Sequence, residues 1–224
     1  MKTMALPLAV VLSLGVLRAE EPARELSSEE TVAALKTTAE TFGAHPALWA
    51  RMTVRVSDLI GERTEEGWIA IARPGRVLRR FEKPAPKTWF LDGTTLREFL
   101  PGRNEIYEKD FSAAPKLLKL VRAGLGGDFT ALDEFYGIKA FAGRASLRFE
   151  LTKKPGAPKL LHRRIVASLR PGAWFFDEIR YEPEDGDEIV ERFTEFKELT
   201  GEKPAEFDVK WPADARVTTT HVTE

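Results

Sequence analysis

Cysteine is absent from all 224 residues. That excludes disulfides, a thiol nucleophile and the acylated cysteine that anchors a bacterial lipoprotein, so the core must hold the fold unaided. Histidine is scarce. His45, His162 and His221 have no partner at metal-ligand spacing, so no metal is expected. No Gly-x-Ser-x-Gly elbow occurs. Gly124-Leu125-Gly126-Gly127 lacks the Lys-Ser/Thr of a phosphate loop and reads as a turn. The acidic run Glu182 to Glu188 lacks calcium-loop spacing and reads as a hairpin turn between Tyr181 and Ile189. Nothing points to the paired carboxylates of a glycosidase. No enzyme activity and no cofactor are therefore expected.

An excess of charge of one sign is also missing. The formal net charge is -1, from 34 Lys and Arg against 35 Asp and Glu, so the chain has no electrostatic footprint for nucleic acid. The stretch Arg73 to Pro84 holds five basic residues and one acid, but strand alternation spreads them over two faces. Long apolar runs are confined to Met4–Leu17. This run is shorter than the roughly 20 residues that span a bilayer and fits the apolar region of a secretory signal, with Lys2 before it and cleavage near Ala19. The sequence thus predicts a signal peptide over 1–19 and one exported, unanchored domain over 20–224.

What is present is a change of period. Ser27 and Glu30 have capping-box spacing, and Val32, Leu35, Ala39 and Phe42 predict a helix ending near Gly43. From Trp49 the period becomes two, with Ala50, Met52, Val54 and Val56 alternating with Arg51, Thr53, Arg55 and Ser57. Further strands are predicted at Glu65–Arg73, Arg76–Lys83, Lys87–Leu91, Thr95–Leu100 and Glu105–Asp110, divided by Pro-Gly, Lys-Pro and Asp-Gly turns. Two helices, Ala113–Ala123 and about Phe129–Tyr136, interrupt them. Strands resume at Ser146–Thr152, Leu160–Leu169, Trp174–Glu182, Glu188–Glu198 and Phe207–Trp211. Many strands and few helices predict a mainly β fold. It is expected to be one strongly curved antiparallel sheet, an unclosed barrel of about ten or eleven strands, with helices covering the concave side as a lid. Such a lid leaves room for an apolar ligand.

The order of motifs resembles a known family. Gly67 to Arg76, ending in Arg73-Pro74-Gly75-Arg76, then Pro84, Leu91-Asp92-Gly93-Thr94-Thr95-Leu96 and Phe99-Leu100-Pro101, is similar to the periplasmic lipoprotein carriers of the LolA type. Phe196 to Thr200, Glu206 to Pro212 and Val217 are similar to that family's closing strands. The resemblance implies a soluble, monomeric periplasmic carrier whose cavity holds the acyl chains of lipoproteins. It would take them from an inner-membrane ABC transporter to an outer-membrane receptor. It also implies that Arg73 hydrogen-bonds the helical lid when the cavity is empty. The cavity wall is then expected to include Ile69, Ile71, Val77, Phe81, Trp89, Leu91 and Phe99 from the sheet. Phe42, Leu117, Leu118, Val121 and Phe135 would come from the helices. Arg79 and Arg97 stand where the family often has aromatics, and by parity both share a face with Val77, Phe81 and Phe99. If both point inward, the cavity is more polar and suits a different amphiphile, such as one with an anionic headgroup; if a local bulge turns them outward, the standard cargo stands. A lipid-binding or envelope-stress sensing module on the same scaffold is the alternative reading.

Overall fold

Short alternating segments joined by tight turns dominate the chain, and in the computed structural model they pair into one sheet. The structure describes residues 23–73, 75–126, 132–158, 162–184, 186–201 and 204–223. The predicted signal segment lies outside them. The strands are β1 (Arg24–Glu25), β2 (Ala47–Asp58), β3 (Gly61–Ala72), β4 (Arg76–Lys83), β5 (Lys87–Asp92), β6 (Thr95–Leu100) and β7 (Glu105–Asp110). They continue as β8 (Tyr136–Ala142), β9 (Leu147–Lys153), β10 (Arg164–Leu169), β11 (Glu178–Glu182), β12 (Glu188–Glu198) and β13 (Arg216–His221). Helix α1 spans Ser28–Gly43 and α2 spans Pro115–Gly126.

Among the described residues the sheet has 13 strands in the spatial order β1-β8-β9-β10-β11-β12-β2-β3-β4-β5-β6-β7-β13, with β1 and β13 as free edges. It is curved and not closed, and the helices cover its hollow side. All neighbours are antiparallel except β13, which runs parallel to β7. The long β2–β3 hairpin sits near the middle of the sheet, in register from Ala47↔Ala72 to Asp58↔Gly61. At its tip Asp58 Oδ1 accepts from the backbone N–H of Ile60 (2.9 Å) and Gly61 (3.1 Å), which leaves the Leu59 and Ile60 side chains fully exposed.

Helix α1 begins where the capping box predicts. Glu30 N–H donates to Ser27 Oγ (3.3 Å) and Ser27 N–H donates to Glu30 Oε2 (2.8 Å), and Glu29 and Glu30 suit the positive helix end. Its buried stripe is rotated from the expected one. Thr31, Thr38 and Phe42 are buried, Leu35 is half-buried, and Val32 is 65% exposed. The β-branched threonines take the inward positions because their methyl groups pack while their hydroxyls can bond the helix backbone.

Four expected segments differ. Tyr136 opens β8, paired Tyr136↔Lys153 with β9, instead of closing a helix; residues 127–131 lie outside the described set, and Leu132–Phe135 form a short turn. Gly137, with Ile138 and Ala140 alternating after Tyr136, is the period-two signal that the preceding apolar residues obscured. Trp174–Asp177 is a bend, because consecutive Phe175 and Phe176 both turn inward and meet edge to face at 5.4 Å. Strand β10 starts only at Arg164. Ala205–Phe207 is a single 3-10 turn and 208–212 is unpaired chain, whose rings pack on the sheet while no ladder forms.

Two apolar layers result. The main core fills the hollow side, where Phe42 meets Phe176 (5.1 Å) and Phe175 (5.7 Å) against Ile69, Ile71, Val77 and Leu91. A smaller one covers the outer face, joining Ala70, Leu78 and Phe90 to Trp49, Trp68, Phe207 and Trp211. The basic stretch is divided between the two. Arg76 bonds Asp92 (3.0 Å) beside Phe207, and Arg80 lies over Trp68 (5.4 Å), both outside, whereas Arg79 points into the hollow.

Candidate ligand cavity

The hollow side is packed at one end and open at the other. Strand alternation on β4 directs Val77, Arg79 and Phe81 inward, and the register places them opposite Leu91, Trp89 and Lys87 of β5. At the Val77–Leu91 end, Phe42 and the Phe175–Phe176 pair fill the space. Toward Phe81 and Lys87 they do not, and a cavity of about 640 Å³ remains. Phe81, Trp89, Val54 and Val56 form its sheet wall, Leu120 and Val121 of α2 its cover, and Leu132, Tyr136, Ile165 and Ile189 its far side. Gly67 makes the curvature possible. It lies at a bulge opposite Phe81, where a Cβ would stand 2.1 Å from the Arg80 carbonyl oxygen.

Polar groups enter this apolar chamber in two places. Arg63, Glu65, Lys87, His162 and Asp187 stand on its lining, with Lys87 Nζ held by both Glu65 oxygens (2.8 and 2.9 Å) and 4.3 Å from the Phe81 ring centre. Deeper, Arg79 Nη2 donates to Glu191 Oε1 at 2.5 Å and to Met52 Sδ at 2.9 Å, and the arginine and glutamate side chains are only 6% and 8% exposed. The Arg79 guanidinium carbon lies 5.5 Å from the ring centres of both Phe81 and Trp89. Burial, together with the Glu191 charge, pushes the Tyr181 phenol well above its usual range, so it stays protonated beside that carboxylate. Burial also pushes Tyr136 up to about 12, and its hydroxyl donates to the His162 carbonyl at 3.2 Å.

Of the residues expected to line a cavity, Phe81, Trp89 and Val121 do so. Ile69, Ile71, Val77, Leu91, Phe42 and Leu118 are on the same side of the sheet but inside the packed core, and Leu117 and Phe135 are half-buried against it. Phe99 lies on the opposite side, edge to face with Trp211 at 6.1 Å. Asp92 pairs with Thr95 across the tight turn, so odd positions of β5 face even positions of β6, and Phe99 falls opposite Thr88. Arg97 follows Phe99 outward and bonds Glu108 (2.7 Å), so of the two unusual arginines only Arg79 reaches the cavity.

Arg73 stands away from the cavity, at the end of β3. Its Nη1 donates to the His45 carbonyl and its backbone N–H to the Pro46 carbonyl (2.8 Å), just beyond α1. Its guanidinium carbon is 5.7 Å from the Phe42 ring centre, and burial lowers its pKa to about 10, which keeps it charged at neutral pH. The sequence reading missed Glu191 and Tyr181. A charge at Glu191 between Ile189 and Phe193, on a period-two face that is otherwise apolar, was the available signal.

No family model and no curated protein matches the sequence. Solved structures do. A crystal structure from Thermus thermophilus shares this fold. That uncharacterized conserved protein is 10% identical, with a TM-score of 0.51, over 84% of this chain and 99% of its own. More distant likenesses are a putative outer membrane lipoprotein-sorting protein domain from Vibrio parahaemolyticus and a LolA superfamily protein from Nitrosomonas europaea. The first is 11% identical with a TM-score of 0.45, over 81% of this chain and 97% of its own. The second is 11% identical with a TM-score of 0.43, over 80% of this chain and 97% of its own. Among the described residues no helix is long and apolar enough to cross a membrane, and no cluster of His, Asp and Glu has the geometry of a metal site.

Proposed function

We propose that the protein is a periplasmic lipid-binding carrier that shelters an acyl chain of a lipoprotein between the inner and outer membranes. The observation that carries this is the half-filled hollow, in which the sheet and α2 border apolar space that the described side chains leave open. The volume lies within the range of about 300–1,000 Å³ for small-molecule sites. A methylene is about the size of a water molecule, whose share of liquid volume is about 30 Å³, so the cavity takes about twenty such groups, one ordinary acyl chain. Each buried methylene is worth about 0.8 kcal/mol, which makes sheltering one chain worth on the order of 10 kcal/mol. Cargo with more chains requires α2 to move away from the sheet.

The sequence motifs around Arg73 support the LolA-type reading, and so does that residue's bond to the segment following α1. The exposed Leu59–Ile60 tip adds to it. Val56 and Arg63, which line the cavity, lie three positions from Leu59 and Ile60 in the same hairpin, so a tip resting on a lipid surface brings the cavity to the membrane. In this reading residues 1–19 direct export and are removed, and the single domain over 20–224 meets an inner-membrane ABC transporter and an outer-membrane receptor.

The test is incubation of the exported form with inner-membrane vesicles carrying labelled lipoprotein. A soluble stoichiometric complex is expected. Binding of free lipid with no lipoprotein released would make the protein a sensor or lipid store, and chemically altered lipid would make it an enzyme.

A further inference from the structure

The cavity of a protein that sheltered only hydrocarbon would gain nothing from a charged residue in its floor. Arg79 is such a residue: it lines the cavity, it is 5% exposed, and it stands between the Phe81 and Trp89 rings. Its hydrogen bonds to Glu191 and Met52 both leave from Nη2. Nε is sealed from solvent with no acceptor among the described residues. A guanidinium carries five donors, and a buried donor left unpaired weakens the fold. Glu191, by contrast, accepts from Arg79 and has the Tyr181 phenol beside it. The surplus in this cluster is therefore of donors.

The charge balance decides what kind of acceptor fits. Arg79 and Glu191 neutralise each other, and Lys87 is likewise matched by Glu65. An anionic group placed here adds a buried charge, and the described Arg and Lys residues lining the cavity, Arg79, Lys87 and Arg63, each already face a carboxylate, so burying it is costly. A neutral carbonyl oxygen fills the vacant donor and adds none. We infer that Arg79 is a binding residue for the ester or amide carbonyl of a neutral acylated ligand, which enters the cavity chain and carbonyl together. This rests on the reading of the cavity as a lipid site and names the part of the lipid it recognises. The Phe81 and Trp89 rings flank the guanidinium, and binding requires that group to turn until its donor edge faces the cavity.

The experiment compares monopalmitoyl glycerol, palmitate and hexadecane at neutral pH, each displacing the fluorescent apolar probe N-phenyl-naphthylamine from the protein. The ester is expected to bind about five- to tenfold more tightly than the alkane, the worth of one net hydrogen bond, and more tightly than the acid. Removing Arg79 alone strands Glu191, so the variant is Arg79→Met, Glu191→Leu, Tyr181→Phe together, which replaces the whole cluster by apolar groups of similar size. In it the ester's advantage over the alkane should vanish. Equal affinity for ester and alkane in the unaltered protein overturns the inference but leaves the lipid site standing. So does an ester preference that survives in the variant. Tighter binding of palmitate than of the ester overturns the neutral-ligand assignment. Failure of the probe and all three ligands to bind overturns the lipid site itself.

Discussion

Arg79 and Glu191 reach toward each other from β4 and β12, strands separated in the sheet by β2 and β3, and their side chains meet at 2.5 Å beneath the cavity. Neither is a neighbour of the other along any ladder. The contact crosses the hollow of the sheet, so it exists only because the sheet is bent. Replacing Glu191 with Ala leaves a buried guanidinium without its countercharge and should cost about 3–5 kcal/mol. The triple apolar replacement of the cluster should cost far less. Urea unfolding of both proteins reads the difference. Equal losses would mean that the pair acts only through its packing volume.

Gly67 fixes the bend from the other side. A methyl group there has the Arg80 carbonyl 2.1 Å away, backbone that cannot step aside without breaking the β3–β4 ladder. Gly67→Ala should lower stability by about 3 kcal/mol, a fall in Tm of about 6–12 °C for a chain of this size. Differential scanning calorimetry measures it. A smaller shift, within about 2 °C, would show that the bulge can migrate along the strand.

The alternation of β2 was legible because Ala50, Met52, Val54 and Val56 form one apolar face, the strands that follow were legible from the turn residues between them, and the capping box marked the start of α1. What parity could not supply was the phase between strands. Phe99 and Arg97 read as inward only when odd positions are carried across the Asp92-Gly93 turn, and a turn of two residues reverses them. The C-terminal strand was hidden for a different reason. Arg216 to His221 has no apolar face to announce it, being exposed throughout and held to β7 by backbone pairing. Of the site, Phe81 and Trp89 were legible in the sequence, whereas Phe42, Phe99 and Phe135 lie off the cavity and Tyr136 and Tyr181 line it instead. The Arg79–Glu191 pair was not, since the two residues lie 112 positions apart and charge alone gives no direction.

Alkaline pH should loosen the fold through Tyr136. Burial raises its folded-state pKa to about 12 from an ordinary value of 10.0. Below pH 10 the phenol is protonated in both states and its contribution is fully present. Between pH 10 and about 12 the unfolded chain gives up the proton while the folded one keeps it, so stability falls as pH rises. Tyr181 shifts in the same direction. Urea midpoints measured from about pH 9 to about pH 11 should decline, and Tyr136→Phe should flatten part of the decline. An unchanged slope in that variant would assign the effect to Tyr181.

Arg73 ties the end of β3 to the chain just after α1, through the His45 carbonyl. A hydrogen bond from a charged donor is worth about 1.5–3 kcal/mol, enough to set the balance between a closed and an open cover. Arg73→Leu should still load lipid, because the residue is not on the cavity wall, yet it should release lipid poorly, because the closed state no longer competes with cargo. Single-turnover transfer from loaded protein to acceptor vesicles separates the two steps. Transfer at the unaltered rate would remove Arg73 from any gating role.

Leu59 and Ile60 contribute nothing to the core, being fully exposed at a tip that the Asp58 carboxylate holds in shape. Replacing both with Ser should therefore change stability by no more than about 0.5 kcal/mol. If the tip rests on a bilayer, the same change removes its apolar contact with the membrane and slows extraction of lipid from vesicles, while binding of lipid monomers in solution is untouched. Extraction rates and monomer affinities measured on the same pair of proteins decide it. A parallel loss of both would make the tip part of the cavity instead, and no loss of either would leave the exposed pair without a role in lipid transfer.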